Sequence, residues 1–86
     1  MYLHVGNNKN IRIRDIVGIF DTDNATQSQI TKKYLAEAER RGALISAADE
    51  IPKSFIIYKT GNETSVCFSP LSVSALFGRL TGVRGQ

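Results

Sequence analysis

The spacing of hydrophobic and polar residues changes period several times along this chain. Tyr2 to Val5 is a short, largely apolar run that ends at Gly6-Asn7-Asn8-Lys9-Asn10, where Gly and Asn tolerate the backbone of a reversal. From Ile11 to Arg14 the period is two, which sets Ile11 and Ile13 on one face of a strand and Arg12 and Arg14 on the other. Ile16 to Phe20 has no polar face, the pattern of a central strand covered on both sides. Asp15 between the two runs implies a bend or bulge. Asp21 to Thr26 is turn-like and rich in residues that cap helices. A helix is expected from about Gln27 to Arg41. Its core stripe is Ile30, Tyr34, Leu35 and Ala38, and Lys32, Lys33, Ala36 and Arg40 lie opposite. Arg40 and Arg41 complement the helix dipole in the last turn, and Gly42 is the natural stop.

Ala43 to Ile51 reads as a connecting segment, and Pro52 holds the residue before it extended. Ser54 to Tyr58 and Thr64 to Phe68 form a hairpin around Lys59-Thr60-Gly61-Asn62-Glu63, with Phe55 to Tyr58 apolar on both faces. Ser69-Pro70 has the form of an N-cap and first-turn proline. It would open a helix to about Leu80, leaving residues 81–86 as a flexible tail. On that helix Val73, Leu76, Phe77 and Leu80 make one apolar arc. Leu71 and Ala75 lie on the other side, a second apolar face suited to a partner copy. The order β-β-β-α-β-β-α defines an α+β fold in one small domain, about 2–80 ordered, whose apolar strands serve oligomer assembly.

Length sharpens that last expectation. A core built from 86 residues supplies little net stability, so disulfides, a metal or oligomerisation commonly assist. One cysteine excludes an internal disulfide framework, and one cysteine with one histidine is too few for a structural zinc site. Oligomerisation remains. Met1 to Val5 has neither a basic leader nor a long apolar stretch, and no run approaches the roughly 20 residues that cross a bilayer. A reduced, cytoplasmic protein without membrane contact is expected.

Catalytic chemistry is thin. His4 is the lone imidazole and suits packing or an interface better than base catalysis. Cys67, inside an alternating strand pattern, suits a buried structural thiol. No serine sits in a nucleophile elbow, so no enzyme and no cofactor are expected. Asp21-Thr22-Asp23-Asn24 alternates oxygen ligands as a calcium loop does. Such a loop needs Gly at position 26 and Glu at position 32, where the chain has Thr26 and Lys32. Gly6-Asn7-Asn8-Lys9 follows a strand but opens no helix and lacks phosphate-loop spacing.

Charge supplies the remaining candidate. Eleven Lys and Arg against eight Asp and Glu give +3, with Lys9, Arg12 and Arg14 unaccompanied by any acid over residues 1–14. Arg12 and Arg14, roughly 6–7 Å apart on one strand face, can grip neighbouring phosphates. Lys9 and Lys53 would extend the patch, and Lys32, Lys33 and Arg40 form a further set. The plainer alternative is a solvated face on which Arg14 pairs with Asp15 or Asp21. Repetition in a symmetric oligomer multiplies weak contacts, and the backbone of double-stranded DNA is the partner such a repeat suits.

In order along the chain, Tyr2-Leu3-His4-Val5-Gly6, then Arg14-Asp15-Ile16-Val17-Gly18-Ile19-Phe20-Asp21, then Pro52-Lys53-Ser54 and Ser69-Pro70-Leu71-Ser72 resemble the RemA/RemB family of bacterial extracellular-matrix (biofilm) regulators. The resemblance covers roughly residues 2 to 80. It implies a DNA-binding transcription regulator that closes into a homo-oligomeric ring with basic residues around it. In RemA-like chains one arginine immediately precedes the apolar strand, and an Arg-Arg pair lies shortly before the next. Here Asp15 takes the first place with Arg14 one residue earlier, and Glu50-Ile51 takes the second with Lys53 nearby. The expectation is therefore phosphate contact by Arg12 and Arg14, with an interface drawn from Ile16, Ile19, Phe20, Leu71, Leu76 and Phe77. The alternative is an oligomeric protein-interaction module without strong DNA binding, partnering a RemA-like paralogue.

Overall fold

A computed structural model describes residues 1–25, 28–48 and 51–84, with the backbone alone described at residues 24, 25 and 81–84. The chain opens with a hairpin of β1 (Tyr2–Gly6) and β2 (Lys9–Arg12), reversed through Asn7 and Asn8 at φ 48° and 63°. Asparagine is among the few L-residues that enter this left-handed region routinely. A 3-10 turn at Ile13–Asp15 leads into β3 (Ile16–Asp21), and the short helix α1 (Thr22–Ala25) follows. Helix α2 (Gln29–Arg40), β4 (Leu44–Ser46), β5 (Ser54–Thr60), β6 (Glu63–Ser69) and α3 (Val73–Arg84) complete the fold. A four-stranded sheet has the order β3-β5-β6-β4, antiparallel except where β4 joins β6 in parallel.

β5 explains the architecture. Its side chains alternate, so Phe55 and Ile57 point to one face of the sheet while Ile56 and Tyr58 point to the other. On the first face Phe55, Val66 and Ala38 are buried together, with Tyr34 and Leu35 of α2 packed on them. On the second, Ile56 and Cys67 are buried against Leu3, Val5 and Ile11 of the β1–β2 hairpin and Leu76 of α3. The domain is thus layered as α2, then sheet, then hairpin with α3, an α+β fold as the pattern implied. Full burial of an Ile or Phe stabilises by about 1.5–3 kcal/mol, so two apolar faces on one strand require a cover on each.

Several expectations change. Ile16 to Phe20 is not central: β3 is an edge, with Val17 58% and Phe20 39% exposed. The segment after Gly42, read as a plain connection, contains β4, because Leu44 to Ser46 align with Val66 to Phe68. Thr26 and Gln27 lie outside the described residues. Helix α2 begins at Gln29, where the Ser28 hydroxyl accepts from the Thr31 N–H at 3.4 Å. Ile30, expected in the core stripe, is 81% exposed, because the first turn of α2 overhangs the Phe20–Phe55 side of the sheet without closing on it. The final helix starts at Val73. Ser72 is its cap, accepting from the Ala75 N–H at 3.1 Å, and the backbone continues past Leu80 to Arg84. Among the described residues no helix is long and apolar enough to cross a membrane.

Ser69 does not cap because its hydroxyl is used elsewhere. Fully buried, it donates to the Val5 carbonyl at 2.7 Å and accepts from the Leu71 N–H at 3.1 Å. Ser54, equally buried, donates to the Leu71 carbonyl at 2.7 Å. The pair fastens the Pro70-Leu71 corner to both sheets. Gly6, at φ 124°, fits beneath it: a Cβ there would lie 2.9 Å from the Pro70 ring and 3.1 Å from the Ala47 carbonyl oxygen. Replacing Ser69 by Ala strands the buried Val5 carbonyl and the partly buried Leu71 N–H. The expected cost is about 1–3 kcal/mol of unfolding free energy, measured by urea denaturation, whereas Ser74→Ala on the exposed side of α3 is expected to stay within about 0.5 kcal/mol of wild type.

Candidate nucleic-acid interface

Arg12 ends β2 opposite Tyr2, whereas Arg14 lies in the 3-10 turn. The chain leaves the strand at Ile13, whose N–H still donates to the Met1 carbonyl at 3.1 Å. The two arginines therefore do not share one strand face, which corrects the period-two reading. They converge differently: both are exposed and both line an open depression of about 420 Å³ with Met1, Tyr2 and Ile13. The expected partner of Asp15 also changes. Its carboxylate stands 4.0 Å from the Arg12 guanidinium, and both groups are partly exposed. Such a pair is worth no more than about 1 kcal/mol and often nothing measurable, so it leaves Arg12 able to meet a phosphate. Arg14 makes no ion pair among the described residues.

The other predicted cations are dispersed. Lys9 pairs with Gly6 at the far end of the hairpin from Arg12. Lys53 precedes β5, where its N–H donates to Ser69 and its carbonyl accepts from Thr22. Because Asp21 pairs with Ser54 and Ile16 with Tyr58, Lys53 stands at the opposite end of β3 from Arg14. Lys59, beside Tyr58, is the lysine at the Arg14 end, and sequence reasoning missed it because that neighbour is set by the pairing of distant strands. Lys32, Lys33 and Arg40 belong to α2, across the sheet from the hairpin, and Arg40 pairs with Glu37. Arg41 was assigned only to the helix dipole. It bonds Glu63 at 3.0 Å and ties the end of α2 to the β5–β6 turn. Glu50 lies outside the described residues, and Ile51 beside it is exposed.

The residues proposed for assembly also separate. Ile16 and Ile19 are half-buried against the domain's own core. Leu71 is half-buried there as well. Leu76 is completely buried in that core and is unavailable to a partner, a correction that follows from α3 packing its face on β1 and β3. Phe20 and Phe77 retain exposed surface, and Val17, which the doubly covered strand reading had placed inside, is more exposed than either. Phe20, Ile30, Thr31, Tyr34, Phe55 and Ile57 line an open apolar groove of about 230 Å³ between β3 and the first turns of α2.

The family model described as "Extracellular matrix regulatory protein A-like" matches residues 2–80 of this chain. The chain is also similar to Extracellular matrix regulatory protein B of Bacillus subtilis (strain 168). The two are 33% identical over 76 residues, which span 88% of this chain and 85% of that protein.

The titratable groups of the interior are structural. Cys67 is fully buried, and burial pushes its thiol up, against smaller opposing effects of the Lys9 charge and an Ala47 backbone hydrogen bond. Burial likewise raises the Tyr58 phenol. The nearby Cys67 adds to that rise, and a hydrogen bond with Ser65 opposes it. Among the described residues no three His, Cys, Asp or Glu groups gather as a metal would require. His4 lies under α3, where Arg79 donates to its carbonyl at 3.1 Å and approaches Nδ1 at 3.2 Å. Both raised groups bind their protons more tightly when the chain is folded, so their contribution to stability is complete below the ordinary thiol pKa and is lost as pH climbs through the native values. Urea midpoints are expected to hold up to about pH 8.5 and fall above it, with a smaller fall for Cys67→Ala. An unchanged midpoint to pH 10.5 or so would contradict this assignment.

Proposed function

The chain belongs to the RemA-like family of extracellular matrix regulatory proteins, and from that membership we propose that it regulates matrix (biofilm) genes in the cytoplasm as a homo-oligomeric ring holding double-stranded DNA by its phosphate backbone. The observation that carries this reading is the convergence of Arg12 and Arg14 on one exposed depression beside Tyr2, at the start of β3. Guanidinium groups bind phosphate bidentately and keep their charge at every physiological pH. Neutralising a phosphate releases condensed counterions, which drives binding without reading the base sequence. One such depression holds DNA weakly. A ring repeats it on one surface, and linked contacts raise the affinity of the assembly far above that of a subunit.

Asp15 supports a second reading. It occupies the place directly before β3 and sits against Arg12, so the cationic surface is smaller than the family pattern implies. In that reading the chain is an oligomeric interaction module that partners a RemA-like paralogue and binds DNA weakly. A salt series on a fluorescent duplex separates the two. The DNA reading expects affinity to fall linearly with log salt at a slope near −0.9 per phosphate contacted. Arg12→Ala with Arg14→Ala should flatten that slope by about one for each contact removed. No binding at low salt, with assembly intact, sinks the DNA reading and leaves the interaction module.

A further inference from the structure

The outer face of the β1–β2 hairpin carries Tyr2, His4, Asn10 and Arg12, because the alternating Leu3, Val5 and Ile11 point into the core. Helix α3 packs beside β1. From it one nitrogen of the Arg79 guanidinium donates to the His4 carbonyl at 3.1 Å and stands 3.2 Å from His4 Nδ1. A guanidinium offers donors and no acceptor, and it keeps its charge in proteins. Nδ1 must therefore accept, which fixes His4 as the neutral imidazole with its proton on Nε2. A proton arriving on Nδ1 turns that acceptor into a second donor and sets a cation against a cation. The contact tolerates one protonation state of His4 and not the other.

The elements around His4 supply cations and, among the described residues, no carboxylate to offset the added charge. On β2, Asn10 lies opposite His4 and Arg12 is its diagonal neighbour, about 7–8 Å away. Lys9 acts on Cys67 at the inner side, and the Met1 amino group begins the chain. Ser69 and Pro70, which touch Val5 and Gly6, are uncharged. Residues 1–14 and helix α3 contain no acid, and Asp15 faces Arg12 instead. Helix α3 also leans on its contacts. It includes Gly78, Thr81 and Gly82, which weaken a helix interior, and a Cβ at Gly78 would meet nothing, so packing does not call for glycine there. Beyond the fully buried Leu76, the half-buried Leu80 and the Arg79 contact hold the end of the helix. We infer that His4 and Arg79 form a pH-sensitive latch, which holds the second half of α3 on the hairpin while His4 is neutral and releases it when His4 gains a proton.

His4 is the one histidine of the chain, so its ring nitrogens can be read without ambiguity. Nitrogen NMR on the full chain at about pH 7.5 should show the Nε2–H tautomer, and an Nδ1–H tautomer overturns the inference. Hydrogen exchange read by mass spectrometry and corrected for intrinsic rates tests the release. Peptides from residues 77–84 should open about fivefold more often at about pH 5.5 than at about pH 7.5, the factor that two like charges at contact distance in water supply. Peptides from β5 and β6 should not change. His4→Gln keeps an acceptor for Arg79 and gains no proton, so its helix should stay closed at both pH values. His4→Lys carries the charge permanently and should open at both. Arg79→Ala should lose the response to pH. A wild-type helix that opens equally at the two pH values, or a response that persists in His4→Gln or Arg79→Ala, overturns the latch. Lost DNA binding counts only against the proposed function, because the latch needs neither DNA nor assembly.

Discussion

Everything in this domain follows from one constraint: β5 is apolar on both faces, and each face must be kept from water. Phe55 and Ile57 require a cover on one side, and Ile56 requires one on the other. The chain has few residues with which to meet both demands. It uses the β1–β2 hairpin and α3 for one face and α2 for the other. The buried hydroxyls of Ser54 and Ser69 serve that arrangement, because they satisfy the backbone at the corner where the chain passes from β6 into α3. Without them the second cover would close over unpaired polar groups.

The cover on the α2 side is incomplete. A helix of twelve residues crosses β4 and β6 but overhangs β3, leaving Phe20 and Ile30 partly in water. A larger domain would place another element there. In this one the same shortage leaves β3 at the edge, with its arginines at one end and its aspartates at the other. Phe20 and Ile30, which find no full cover within a single chain, line the groove on the α2 side, apart from the depression lined by Met1, Tyr2, Arg12, Ile13 and Arg14.

Much of this was legible in the linear pattern. The doubly apolar Phe55 to Tyr58, the reversal at Asn7-Asn8, the break at Asp15 and the stop at Gly42 are local signals that the chain carries at short range. The candidate site was legible in part, since Arg12 and Arg14 do share a surface. The geometry differs because a 3-10 turn, closed by the Ile13 N–H on the Met1 carbonyl, intervenes between them. Ile30 obeyed helical periodicity and is still exposed, because periodicity gives the face of a helix and not the extent of the sheet beneath it. Leu76 was read as a partner contact and is core for the reverse reason: the hairpin lies directly over it.

What the sequence by itself determined is the main strands and helices and most of their apolar faces, since hydrophobic period and glycine and asparagine reversals act within a few residues. Only the tertiary structure decided which strand is central and which is an edge, that the three residues of β4 join the sheet in parallel, and which cations meet. Those facts depend on pairing between segments far apart in the chain. Ile16 to Phe20 and Phe55 to Tyr58 are equally apolar runs. Phe55 to Tyr58 is largely covered and Ile16 to Phe20 borders solvent because strand order, which neither run encodes alone, gives β5 two neighbours and β3 one among the described residues.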